Sequence, residues 1–287
     1  MAARSTARAD RYTLADAPEP LPAPVADSHT HLDAVREMTG LEPADAIARA
    51  VGVEVTRLVQ VGTDLASSRW ALELAAAHPE VVAAVAIHPN DAARLDDALP
   101  DALDDLATLV AAGGTRLRAI GETGLDHYRT REPEGQRLQR HSFARHIALA
   151  REHDLTLVIH DRDAHAGILD LLDAEGVPDR VVMHCFSGDA AFARQCLDRG
   201  AYLSFPGPVT YKPNDALREA AAITPADRLL VETDAPYLTP VPLRGRPNAS
   251  YLMPWTVRYL AELRGVDLAE LCASLLDNTF AAFGGRW

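Results

Sequence analysis

Seven ionisable residues stand at or just beyond short apolar runs, and their types and order suit one kind of chemistry. They are His29 and His31 in DSHTHLD, His88 in AIHPN, Glu122 in AIGETGLD, His160 in LVIHDRDAH, His184 in VVMHCFSG and Asp234 in LLVETDAPYL. Imidazole and carboxylate together form the ligand set of a divalent cation. In an extended H-x-H segment both rings point to the same side. Singly, each residue has a plain structural reading: a histidine after an apolar run is a hydrogen-bonded core residue, and an aspartate caps the next helix. Jointly, His29, His31, Glu122, His160, His184 and Asp234 would be costly to bury unless a cation offset the desolvation. Six ligands exceed one tetrahedral site and suit two ions that share a carboxylate. Glu122 is the expected bridge, with His29, His31 and Asp234 completing one site and His160 and His184 the other. Two such ions clamp the attacking and leaving oxygens of a hydrolytic displacement and lower the pKa of a water between them. Asp234 is then placed to take that water's proton. His88 is expected to orient water or a phosphate oxygen without binding metal.

The elements that must position these residues alternate regularly. Strands are expected at residues 25–26, 58–61, 81–87, 118–121, 155–159, 181–183, 202–204 and 229–231. Helical periodicity marks 67–77 (with Asp64 as its N-cap), 135–152, 163–175, 189–199, 214–222, 251–264 and 267–283. Alternating β and α segments imply parallel strands covered by helices on both faces. Eight units over residues 25–287 predict an α/β chain folded as a single-domain (β/α)8 TIM barrel, whose C-terminal strand ends converge on one mouth. A doubly wound open sheet would carry a Gly-rich turn after the first strand, where this chain has DSHTHLD. Residues 1–24, rich in Pro and Ala, read as a poorly ordered extended lead-in. They contain no apolar stretch of the secretory type, and no run in the chain approaches the ~18 apolar residues of a membrane helix.

The composition excludes other classes. Against 41 acidic residues stand 28 basic ones, a net charge of −13, so a global basic footprint for coating nucleic acid is absent. Any phosphate-bearing substrate must be held locally, by metal ions or a few arginines. Three scattered cysteines, Cys185, Cys196 and Cys272, read as buried free thiols of a reducing compartment. A cytoplasmic monomer with no obligate protein partner and no membrane association is expected.

In this order and spacing, DSHTHLD, AIHPN, GETGLD, HDRDAH, HCFSG and ETDAPYL resemble the TatD family of metal-dependent hydrolases over essentially all of 25–287. The resemblance implies a (β/α)8 barrel, two divalent ions (Mg, Mn or Zn) and hydrolysis of phosphodiester bonds in DNA, often as a 3′ exonuclease on single strands or 3′ ends. It also implies metal ligands at His29, His31, Glu122, His160, His184 and Asp234, the same six residues. Three departures stand out: His127 in place of an aromatic residue, Asp161 in place of a small polar one, and Ala249-Ser250 where the family has Glu-Pro. The last bears on substrate preference more than on metal binding.

Other residues are weighed on simpler grounds. Arg162, Arg244 and Arg246 are candidate phosphate contacts, because a guanidinium fork matches phosphate oxygens. Tyr211 and Tyr237 either stack a terminal base or pack on loop prolines. His141, His146 and His153 are expected on the surface of the helix before the fifth strand, and His165 inside the helix after it. Two other functions compete. A cyclic-amide or lactone hydrolase on the same barrel would use a carboxylated lysine at the fourth strand, but the chain's one lysine, Lys212, follows the seventh. A non-catalytic binding protein of protein quality control would have no use for six converging ligands.

Overall fold

The computed structural model describes residues 13–287. Eight strands follow one another in chain order across one sheet: β1 Val25–Thr30, β2 Val55–Val61, β3 Val81–Val85, β4 Leu117–Asp126, β5 Thr156–Arg162, β6 Val181–Met183, β7 Tyr202–Phe205 and β8 Leu229–Val231. Between and after them lie α1 Leu32–Thr39, α2 Pro43–Val51, α3 Leu65–Ala77, α4 Pro89–Leu95, α5 Leu99–Ala112, α6 Pro133–Glu152, α7 His165–Glu175, α8 Ala190–Asp198, α9 Asp215–Ile223, α10 Pro254–Arg264 and α11 Leu268–Ala282. Every pair from β3 to β7 is parallel. This is the (β/α)8 barrel. The chain divides into two compact units that interleave in sequence, one running to Val59 and resuming over Phe205–Thr279, the other comprising Gln60–Ser204 and Phe280–Trp287.

In the first unit, β1 lies beside the segment that leaves β8. Ser28 Oγ donates to the Val231 carbonyl (3.0 Å), the Asp234 amide donates to the His29 carbonyl (3.0 Å), and the His31 amide donates to that of Ala235 (2.9 Å). The lead-in is held here too. Arg246 donates to the carbonyls of Thr13 (3.2 Å) and Leu14 (2.9 Å), Tyr251 donates its hydroxyl hydrogen to that of Ala15 (2.7 Å), and Arg258 reaches Glu19 and Pro20. Residues 13–24 thus have no helix but are fastened at several carbonyls; residues 1–12 of the expected extension lie outside the described residues.

In the second unit, β3 is buried along its whole length, as a parallel strand covered on both faces must be. Asp64 caps α3 as expected: its Oδ1 accepts the Ser67 amide at 2.7 Å while Ser67 Oγ accepts the Asp64 amide at 3.0 Å, a reciprocal capping box. Helix α6 starts with Pro133 in the first turn, where the missing N–H is no loss. It turns Leu138, Phe143, Ile147 and Ala150 into the core.

The strands outrun the expectation where they carry polar residues. Glu122 lies inside β4, His29 inside β1 and His160 inside β5, because reading strands as apolar runs stops at the first ionisable side chain although the backbone ladder continues. Helices α1, α2, α4 and α5 had no counterpart in the sequence reading. Among the described residues, no helix is long and apolar enough to cross a membrane.

His146 corrects the expectation of a surface residue: it is completely buried. Its Nε2 accepts the Ile87 amide (3.0 Å) and its Nδ1 lies 2.7 Å from the Ser142 carbonyl. That pattern requires the neutral ring with the proton on Nδ1. Burial lowers its pKa from 6.5 to about 4, with the positive charge of Arg145 adding to the effect against the Ser142 bond. The unfolded chain therefore takes up a proton that the folded one refuses, and stability falls as pH drops from about 6.5 to about 4. In urea titrations across that window, His146→Asn should be less stable at pH 7 but show a shallower decline with acid. An unchanged slope would remove this histidine from the acid response.

Candidate metal centre

Each unit brings together a set of cation-binding donors. In the first, β1 delivers His29, the residue after it is His31, and the turn beyond β8 delivers Asp234. The two Nε2 atoms are 3.3 Å apart, and Asp234 Oδ1 lies 3.9 Å from His29 Nε2 and 3.5 Å from His31 Nε2. Donor atoms about 2.0–2.1 Å from one tetrahedral ion lie about 3.3–3.4 Å from each other. The spacing of the two imidazole nitrogens matches that edge, so the donor set fits a divalent cation. Asp234 has a positive φ (52°), a backbone region that non-glycine residues use sparsely, Asn and Asp most often, and that recurs at functional sites.

Asp27, not singled out by the sequence reading, fixes this geometry. It is completely buried, its Oδ2 accepts the Thr233 hydroxyl at 2.6 Å, and its Oδ1 accepts the amides of Thr233 (2.9 Å) and His29 (3.3 Å). One carboxylate thereby ties the backbone before Asp234 to the backbone of His29. Burial raises its pKa from 3.8 to about 7, against the hydrogen bonds from Thr233 and Ser250 that work to lower it. Its signal in the sequence was a strand-borne aspartate two residues before an H-x-H.

In the second unit Glu122 is the hub. Its Oε2 lies 3.3 Å from His160 Nδ1, 3.3 Å from His184 Nε2 and 3.8 Å from His88 Nε2. Ligand atoms of His88, Glu122 and His160 fall within 4.8 Å of one another. His88 thus lies close enough to Glu122 and His160 to share an ion with them, and close enough to orient a water or phosphate oxygen beside them. Burial works to raise the Glu122 carboxyl, but the facing imidazoles of His88 and His184 and the hydrogen bonds to His160 and His184 hold it well below the usual range.

The positions follow from β4. Its register with β5 is irregular between Ile120 and Thr123, the kind of local departure that re-aims a side chain, and Glu122 falls inside it. Gly124 then pairs with His160. It has φ +140°, and a Cβ there would collide with the His160 carbonyl, so only glycine lets the two strands approach this closely.

Asp126, four residues beyond Glu122 on the same strand, was also missed. Its Oδ2 lies 3.4 Å from His160 Nε2 and accepts the Asn90 side-chain amide at 2.9 Å. Its Oδ1 accepts the Arg129 amide at 2.8 Å. Burial raises its pKa, but the His160 bond and those from Arg129 and Asn90 win and hold it below its ordinary value. With Nε2 facing Asp126, His160 presents Nδ1 to Glu122, the arrangement in which a carboxylate fixes a ligand's tautomer.

The remaining candidates are placed differently. Arg246 donates to the lead-in carbonyls of Thr13 and Leu14. Arg244 lies over the Tyr211 ring at 4.4 Å, the Tyr211 hydroxyl donates to the Thr239 carbonyl, and Tyr237 is exposed. Arg162 is exposed at the end of β5. His165 opens α7, with its Nδ1 2.6 Å from Asp161 Oδ2 and its ring stacked on Phe192. Ala249 and Ser250 are buried, and Ser250 Oγ donates to Thr30 Oγ1 (3.3 Å), so the Glu-Pro replacement is packed beneath β1.

A (β/α)8 barrel with imidazole and carboxylate clusters at its strand ends defines a metal-dependent hydrolase. The family described as TatD related DNase matches residues 26–284, and the chain belongs to that family. It is 44% identical over 264 residues to the uncharacterized metal-dependent hydrolase TatD of Mycobacterium tuberculosis, covering 91% of this chain and 98% of that protein. It is 34% identical to the 3′-5′ ssDNA/RNA exonuclease TatD of Citrobacter rodentium, covering 84% and 91% respectively. Among solved structures, the TatD homologue YjjV of Escherichia coli superposes with a TM-score of 0.83 at 27% identity, covering 91% of this chain and 98% of that one.

Replacing Asp126 with Asn should free His160 to turn and weaken cation binding at the Glu122 cluster about 10–100-fold. Titration with Mn²⁺ or Zn²⁺ under equilibrium dialysis measures this, with circular dichroism to check the fold. Undiminished affinity in a folded variant would show that Asp126 does not orient His160.

Proposed function

We propose that this chain hydrolyses phosphodiester bonds of single-stranded DNA from the 3′ end, with two divalent ions held by His29, His31, Glu122, His160, His184 and Asp234. The observation that supports it most is Glu122 Oε2, buried and facing His160, His184 and His88 at 3.3–3.8 Å, alongside the complete His29, His31 and Asp234 set. The Citrobacter relative named as a 3′-5′ ssDNA/RNA exonuclease supports the substrate class. When bound, the ions would supply Lewis acidity toward the phosphoryl oxygen and a nucleophilic water at neutral pH.

The chain's own residues do the rest. Glu122 keeps its charge because imidazoles face it. Asp234, whose side chain is 15% exposed against 0% for that of His29, is the carboxylate of its cluster within reach of solvent and takes the proton of the attacking water. Asp27 and Asp126 hold His29 and His160 in place, so that little reorganisation is left for the chemical step. A cyclic-amide hydrolase with a lysine bridge finds no support at β4, because Lys212 is an exposed residue beyond β7.

Purified protein with Mn²⁺ or Mg²⁺ should shorten a 5′-labelled single strand stepwise from its 3′ end. A blocked 3′ terminus or a chelator should stop it. Glu122→Ala should reduce the bound metal and bring turnover to background together, measured by elemental analysis beside the digestion assay. An intact DNA strand together with opening of a cyclic amide would overturn this reading. Full turnover by Glu122→Ala would overturn the shared-ligand role.

A further inference from the structure

In the turn beyond β4 an exposed aromatic residue is flanked by arginines. Tyr128 is 50% exposed in the turn that follows β4. The Arg162 guanidinium lies over its ring at 4.4 Å from the centroid, with that of Arg131 at 5.9 Å. Arg131 Nε also donates to the Tyr128 carbonyl (3.3 Å), which fixes that arginine beside the ring.

This pair is tied to the Glu122 cluster by short covalent and hydrogen-bonded links. Arg162 is two residues beyond His160 on β5 and pairs in register with Asp126. The His127 amide donates to the Arg162 carbonyl at 2.9 Å. Asp126, which faces His160, also accepts the Arg129 amide, so the turn carrying Tyr128 is anchored by the carboxylate that faces His160. Arg129, Arg131 and Arg162 are all exposed there, in a protein of net charge −13; the exposed acids nearest in sequence are Glu132 and Asp163.

We propose that Tyr128 and Arg162 form a stacking subsite that receives a base of the single strand next to the scissile phosphodiester. This rests on the nuclease reading above and adds to it the substrate feature that is gripped. An aromatic face binds any base, because every base has a π-face, so the subsite favours single strands without reading sequence. Arg162 reinforces the ring from one side and has a guanidinium fork for the adjoining phosphate. The affinity that net charge denies is thereby supplied at one point.

The test compares a single-stranded oligonucleotide with the same strand carrying abasic residues at its 3′ end, using the metal-loaded full chain. Wild-type protein should show a KM about tenfold lower for the strand with bases. Tyr128→Ala should raise KM for that strand to the abasic value, with kcat changed far less, whereas Tyr128→Phe and Tyr128→Trp should keep the preference. Equal KM values in the wild type, or a preference that survives Tyr128→Ala, would overturn the subsite and leave the nuclease reading standing. Failure of the wild type to cleave either strand would overturn both.

Discussion

A buried carboxylate facing imidazole rings is the interaction on which the site depends. Removing the Glu122 carboxylate from water costs several kcal/mol unless positive charge compensates it. His88, His160 and His184 supply the partners, each from a different strand end. The His29, His31 and Asp234 cluster repeats the same logic with two imidazoles and one carboxylate. Such groups repel or desolvate one another in an ordinary core, and a divalent cation turns the arrangement from a cost into a binding site. The barrel's regular backbone, the irregular β4–β5 register and the glycine at 124 all serve that convergence.

Much of this was legible in the sequence. The alternation of apolar runs with helical periodicity gave the barrel, and the ionisable residues at the ends of those runs include the imidazoles and carboxylates that the fold clusters. The polar frame around them was harder to see. Asp27 and Asp126 act by accepting backbone and imidazole hydrogens within strands; Asp27 had only its place before the H-x-H to mark it, and nothing in the spacing of Asp126 separates it from strand-end residues that face solvent. The 3.8 Å approach of His88 to Glu122 depends on where β3 ends relative to β4, which is a matter of register. His146 was misplaced for a related reason: a polar residue on an amphipathic helix reads as exposed unless the amide it binds, that of Ile87, is known. Arg246 is engaged by the lead-in, a contact across more than two hundred residues that no local pattern reports.

Charge has a narrower meaning than its sum suggests. A net −13 argues against broad coating of a polyanion, yet the exposed arginines beside β4 and β5 lie next to the donors that would bring further positive charge. Buried carboxylates contribute to the acidic total while facing imidazoles instead of solvent. What matters for a phosphate substrate is the local field at the strand ends, and there Glu122 and Asp234 face imidazoles in clusters that could hold a cation.

The interleaving of the two units sets an order of completion as the chain is made. Donors of the Glu122 cluster, from His88 to His184, all lie within the single stretch Gln60–Ser204. Those of the other cluster are divided between the beginning and the end, and His29 and His31 lack their carboxylate until Asp234 has been added. Ribosomal synthesis therefore yields one full donor set some fifty residues before the other, so the two clusters are completed at different times.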